Sequence, residues 1–429
     1  MSTSQLFLQP DEVDAFLKDT VADHSLTVVG YEGQEIGLCP CITFYVFHDK
    51  DGAPAVADAA ISVFEEFSQL IDKPWELIFS DKSQDWHKPG SKALNFDLRE
   101  RARHKFKKVA SFFLAATEAD SPAETPRWGF HSVIDDDGSM KYSWVKLTFR
   151  ERWYRQHRVE WHAFVERCIA RLQPEQCYSG FEIGGGAFNL LGSYEGDVLV
   201  RICADHFFGM DIDHPVDMCF HSYRHHGEFL DPTDLGAGLR PPTWCFLLSP
   251  LWRQRLGLSE AEVRARLDDP RVNITAIPSP PSLHNPHGED LLWVRLGDLN
   301  LYPVEQGVPE LLVQANALIR PIRCNGLKLH TLEPWDDDPN PRFSPRSAWN
   351  WVHRFDEDSQ WPTAQARQPS PPPPGLTGRC EAGQPCPRSG WWSTPAQTGS
   401  RQHFNAGQSM PSLGSDYGAT IWQWDPLQD

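Results

Sequence analysis

A chain of 429 residues exceeds the roughly 250 to 300 at which single hydrophobic cores stop growing, so more than one compact unit is expected. Hydrophobic residues at 40% and aromatics at 12% are enough to fold, which excludes a largely disordered chain. Lys plus Arg total 40 against 58 Asp plus Glu, and the resulting net charge of −18 argues against direct nucleic-acid binding and favours a basic protein partner; acidity that serves solubility alone is the competing reading.

The N-terminus, MSTSQLFLQPDEVDAF, has neither a basic start nor a signal-length apolar core. No segment approaches the roughly 18 apolar residues of a membrane span, so a cytoplasmic protein that engages no membrane is expected. Strands are expected at 42–47, 75–80, 110–115 and 142–149, with amphipathic helices at 55–71 and 96–107 between them. Cys39-Pro40-Cys41 is too short for a redox pair, and its proline suits a strand edge or a bulge. Asp135-Asp136-Asp137-Gly138 lacks the twelfth-position Glu of a calcium loop, where Lys146 stands, and reads as a hairpin turn.

A helix is expected over 151–172, with Trp153, Phe164, Val165, Cys168 and Leu172 on the face that covers the sheet. Gly184-Gly185-Gly186 after the strand 178–183 has no GxGxxG spacing and no Walker lysine, so it reads as a tight turn. The FFGMDID turn leads to a short strand expected at 216–220, then to Arg240-Pro-Pro-Thr-Trp244, an apolar run at 245–248 and a helix opened by Ser249-Pro250. Strand, helix and strand are expected to recur at 272–277, 291–296 and 308–319, giving two halves that are candidates for distant copies of one unit. The fold class is therefore α+β, two-layered, with mostly antiparallel sheets and packed helices.

The proline run at 369–375 reads as a stiff spacer within a linker at 363–378. Beyond it, residues 379–429 read as a small Gly/Trp-rich β-module, and the main domain as 1–362. The tail from Thr363 carries Arg367, Arg379, Arg388 and Arg401 against Glu381, Asp416, Asp425 and Asp429, so the whole charge of −18 belongs to residues 1–362.

His221, His225 and His226, with His214 and Asp231 nearby, form the densest set of candidate metal ligands, but their spacing fits neither HExxH nor a Cys/His finger. Cys380 and Cys386 lack the second pair of a zinc ribbon, and the remaining cysteines read as buried reduced thiols. Ser179 and Ser222 sit in no GxSxG elbow. No catalytic residue, metal or cofactor is therefore expected, while an enzyme using the histidine cluster and a secretion adaptor stay open as alternatives. The residues suited to a partner are Asp211, Asp213 and Asp217 in one turn, and Glu333, Asp336, Asp337 and Asp338 beside Trp335 in another. Aromatics there would supply the buried anchor and carboxylates the steering.

The order Phe207-Phe208-Gly209-Met210-Asp211, Leu239-Arg240, Thr243-Trp244, Leu247-Leu248-Ser249-Pro250 and Leu256-Gly257 resembles that of the bacterial type VI secretion immunity family. Ile36-Gly37-Leu38-Cys39 echoes its N-terminal strand, and Trp293 to Asn300 with Tyr302-Pro303-Val304 its closing element. The resemblance implies an immunity protein that binds and neutralises a cognate effector toxin without chemistry of its own.

Overall fold

The structure is a computed structural model that describes residues 6–22, 27–29, 35–49, 51–136, 138, 140–184, 194–219, 235–327, 329, 339–361, 379–394, 397, 400–413 and 420–425. The chain divides into two compact units, Met1–Ala364 and Gln365–Asp429.

The first unit is built on one antiparallel sheet of eleven strands. In chain order these are β1 (Thr27–Val29), β2 (Glu35–Val46), β3 (Leu77–Ser80), β4 (Asp85–His87), β5 (Phe112–Thr117), β6 (Gly129–Ile134), β7 (Ser143–Thr148), β8 (Gln176–Gly184), β9 (Cys245–Leu248), β10 (Val272–Ile277) and β11 (Leu291–Leu296). The sheet order is β10-β11-β9-β8-β2-β7-β6-β5-β3-β4, with β1 added to β2. The helices are α1 (Pro10–Ala22), α2 (Ala53–Leu70), α3 (Leu98–Phe106), α4 (Glu151–Gln156), α5 (Arg158–Leu172), α6 (Tyr194–His206), α7 (Pro215–Cys219), α8 (Pro250–Leu256), α9 (Glu260–Arg266), α10 (Glu310–Ile319) and α11 (Pro345–Val352). The α+β class expected from the sequence is the class observed.

Successive side chains of a strand point to opposite faces, and β2 shows what that does here. Ile36, Leu38, Ile42, Phe44 and Val46 enter one core with α2 and α5, where Phe67 stacks on Phe164 at 5.7 Å and packs edge-on against Trp128 at 5.7 Å. Tyr45 enters the other core, where α8, α9, α10 and α11 cover β9 and β11. The two halves both open on a long strand, β2 and β8, and these pair antiparallel from Gly37↔Gly184 to Tyr45↔Gln176. They continue differently: outward from the centre one half runs β2-β7-β6-β5-β3 and the other β8-β9-β11-β10.

Several local expectations are corrected. Pro40 lies in the central strand rather than at an edge: its carbonyl accepts from Phe149 N at 3.1 Å, and β7 pairing begins only at Cys41, so the missing N–H faces the end of the β7 ladder. The helix expected over 151–172 breaks at His157, whose φ of −124° leaves the helical region between α4 and α5. The strand expected at 216–220 is α7, started by Pro215 at a first helical position. Residues 291–296 are a strand, β11, because LLWVRL closes a hairpin with β10 from Leu291↔Ile277 to Leu296↔Val272. The stretch at 308–319 contains a helix, α10, whose buried Leu311, Leu312, Ala315, Leu318 and Ile319 follow a three- and four-residue spacing. The cysteines need no correction: the eight outside the tail are buried free thiols as expected, and Cys380 and Cys386 are buried free thiols too.

The second unit is a four-stranded antiparallel sheet of β12 (Arg379–Glu381), β13 (Gly390–Ser393), β14 (Gln402–Phe404) and β15 (Ile421–Trp424), in the order β12-β15-β13-β14. Its small core gathers Cys380, Cys386, Trp392, Phe404, Met410 and Trp422.

Candidate functional site

Two pieces of the sequence signature meet in the interior. The segment after α6 crosses the sheet, held by Phe208 N–H to Tyr302 O at 2.9 Å, Gly209 N–H to Leu301 O at 2.7 Å and Asp211 N–H to Phe181 O at 2.6 Å. A Cβ on Gly209 would stand 2.8 Å from the carbonyl carbon of Leu301, so the residue must be glycine for the chains to approach this closely. Gly238 is under the same restriction, since a Cβ there would lie 2.5 Å from Cys324 N. These two backbone approaches deliver Asp211, Asp213 and Arg240 to one point beside β2, β7 and β8.

There Arg240 forks between Asp211 and Asp213, reaching Asp213 Oδ1 at 2.6 Å, and its guanidinium stacks over the Tyr178 ring at 4.7 Å. Thr43 and Tyr45 hydroxyls also donate to Asp213. Lys146 on β7 bridges Glu182 at 2.6 Å and Asp213 at 3.5 Å. Burial opposes the Asp213 charge, but Arg240, Lys146 and the two hydroxyls overcome it and hold the carboxyl well below the ordinary range. Burial wins at Asp211, whose carboxyl is raised despite Arg240. It wins at Glu182 too, which is pushed up to about 7 by burial, with Lys146 pulling down and Asp213 pushing further up. For Lys146 burial works against the charge, and the attraction of Glu182 and Asp213 exceeds it, so the ammonium is retained. Two carboxylates thus share one lysine, and Glu182 is the one that keeps a proton most easily.

Asp211 and Asp213 are 2% and 4% exposed. The expectation that they offer carboxylates to a partner is corrected: buried charges need partners inside the fold, and Arg240 is theirs. Asp217 lies on α7, with nothing described of its side chain. Glu333, Trp335, Asp336, Asp337 and Asp338 lie outside the described residues, as do His221, His225, His226 and Asp231. Among the described residues no group of three or more His, Cys, Asp or Glu is arranged to hold a metal ion, and no helix is long and apolar enough to cross a membrane.

Sequence reasoning did not anticipate a recess of about 300 Å³ between the end of β2, the start of α2 and the loop after β10. His284 stacks on Phe47 at 4.1 Å there and pairs with Glu175 at 2.5 Å, while Tyr142 donates to the same carboxylate at 2.5 Å. Ser249 lines this recess too, but its buried hydroxyl makes no hydrogen bond. A serine without contact to the histidine lacks the base that activates a nucleophile.

Residues 59–355 match the model of the TsiV family, described as type VI immunity for VRR-NUC. The chain belongs to this family. The matched segment contains Lys146, Glu182, Asp211, Asp213 and Arg240, so the buried charge network of this TsiV member lies inside the shared region, apart from its contacts to β2. Among solved structures, the Pseudomonas aeruginosa T6SS protein PA0821 is similar with a TM-score of 0.63 and 16% identity, over 83% of this chain and 94% of that one. At that identity the likeness is one of fold. No curated protein sequence matches the chain.

Proposed function

We propose that this TsiV member is a cytoplasmic immunity protein that binds a cognate effector of the VRR-NUC nuclease type and neutralises it by covering its working surface. The observation that carries the reading is the family match over residues 59–355. The charge of −18 supports it, because a nuclease surface built to hold phosphate is basic, and an acidic protein meets such a surface faster and competes with nucleic acid for it. The chain needs no catalytic residue for this work. The acidic segment with Trp335 flanked by Glu333, Asp336, Asp337 and Asp338 remains our candidate contact, and Asp217 is kept as a separate candidate.

The test is complex formation with a purified candidate effector of the VRR-NUC nuclease type, followed by a nuclease assay on the purified complex. A one-to-one complex with suppressed cleavage is expected. Charge reversal at Asp336, Asp337 and Asp338 should slow association roughly tenfold at low salt and flatten its salt dependence, whereas Trp335→Ala should mainly speed dissociation. An effector that stays fully active with the immunity protein bound overturns neutralisation by blocking. Rates unchanged in both variants move the contact to another surface.

A further inference from the structure

Arg295 on β11 differs from Arg240, Arg323, Arg101 and Arg253 of the first unit, each of which has a carboxylate or carbonyl partner inside the fold. Arg240 has Asp211 and Asp213, Arg323 has Asp356 at 2.8 Å, Arg101 has Asp81 at 2.9 Å, and Arg253 has the Asp290 carbonyl at 2.7 Å. Arg295 is half-buried, its Nε is fully covered, and among the described residues no carboxylate, carbonyl or aromatic ring engages its guanidinium. A charge partly removed from water and left without a counter-ion is unfavourable, so a fold that retains one has left room for an anion to arrive.

The surroundings have the shape for that. Arg295 pairs in register with Asn273 of β10 and Cys245 of β9, at the end of the sheet where the first turns of α5 lie over it. It lines an open recess of about 440 Å³ with Tyr154, Arg158, His162, Glu166, Arg271 and Asp298, among others. The two carboxylates of that lining are already engaged, Asp298 by Arg158 at 2.8 Å and Glu166 by the Thr275 hydroxyl at 3.1 Å. Arg271 is engaged by Asp269 at 2.8 Å. Burial, then Arg295 and Arg158, push His162 down to about 3, so its ring stays neutral and adds a hydrogen-bonding group without adding charge. The free positive charge in the recess is that of Arg295.

Val159 on the rim is 85% exposed, and the adjoining recess, which shares Arg271, Gly297 and Asp298, is edged by Val308 at 48%. Exposed apolar side chains beside a cationic receptor fit a protein surface better than a free ion. Nucleic acid is disfavoured by the charge of −18 around this one basic spot. We infer that this recess is the socket for a carboxylate side chain of the effector, taken by the planar fork of Arg295, with Val159 as its apolar neighbour; this rests on the immunity reading above. On an acidic protein such a socket adds register, since steering by many carboxylates alone fixes no single orientation.

The experiment compares the full chain with its Arg295→Ala, Arg295→Lys and Arg99→Ala variants for effector affinity, dissociation rate and urea unfolding, with inorganic phosphate as a separate probe. Arg99, half-buried like Arg295 but paired with Glu65 on α2, controls for loss of one charge. Loss of Arg295 should weaken effector binding roughly 10- to 100-fold through faster dissociation, and lysine should restore little because it lacks the fork. Arg99→Ala should bind as the parent does. Because Arg295 has no partner among the described residues, its removal should leave the unfolding midpoint unchanged. Equal affinity of the parent and Arg295→Ala overturns the socket and leaves the immunity reading standing. A lowered unfolding midpoint assigns Arg295 to the fold and also overturns the socket. Phosphate that stabilises the parent but not Arg295→Ala, with effector affinity untouched, makes the recess a site for free anions instead. If the parent binds no effector at all, the immunity reading fails first and the socket with it.

Discussion

Arg240 is the residue on which the interior of the first unit turns, because two carboxylates that are almost fully buried depend on its charge. Arg240→Ala should destabilise the unit by about 3 to 5 kcal/mol, the usual cost of stranding a buried charge, read by urea unfolding. A loss below about 1 kcal/mol would mean that the carboxylates take protons or water at little cost. Glu182 adds a pH dependence of definite sign. Its folded value of about 7 lies above the ordinary 4.5, so the folded chain binds that proton more tightly. The stability this contributes is fully present below 4.5 and is lost as pH rises to about 7. Asp213 works the other way: its lowered carboxyl stabilises the fold above the ordinary range, and that contribution goes as pH falls. Glu182→Gln should therefore gain on the parent between 4.5 and 7. Unfolding curves that stay parallel through that window would refute it.

At the scale of elements, the crossing segment after α6 depends on backbone meeting backbone. Gly209→Ala has nowhere to put its methyl, because the Asn300 and Leu301 backbone stands in the way, and neither is a flexible side chain that can swing aside. A loss of about 1 to 3 kcal/mol or more is expected, with Asp211 displaced from Arg240. Gly257, which closes α8 at φ +65°, is the contrast: a methyl there meets nothing within 4 Å, so Gly257→Ala should cost only about 1 kcal/mol of left-handed strain. Urea midpoints of the two variants should separate these causes. If Gly257→Ala proves the more damaging, the close approach at Gly209 is not what holds the segment.

Across the whole molecule, charge and architecture divide at the same place, since the first unit holds the excess acid and the tail is balanced. The tail module has its own small core around Trp392 and Trp422. We expect limited proteolysis to cut first within 369–375, because a proline-rich sequence between two compact units is a preferred point of cleavage. Residues 1–362 should then remain soluble and keep the effector. An insoluble product after truncation at Pro362 would mean that the main body needs the tail.

Periodicity and punctuation in the sequence were enough for the α+β class, for α2, α3, β7 and the antiparallel pairing of β6 with β7, because these rest on neighbours in the chain. They also supplied the signature pieces around Gly209, Asp211 and Arg240, though not their purpose. Asp211 and Asp213 read as a surface cluster because a carboxylate carries no mark of burial in sequence; only the long-range crossing beside β2, β7 and β8 places Arg240 and Lys146 against them. The same limit misassigned β11 and α10, whose short apolar runs fit either state until a hairpin partner or a covering face selects one. Arg295 is the clearest case. An arginine in a strand reads as solvated, and that it lacks a partner among the described residues while its neighbours have theirs is decided by how α5, β10 and β11 come together.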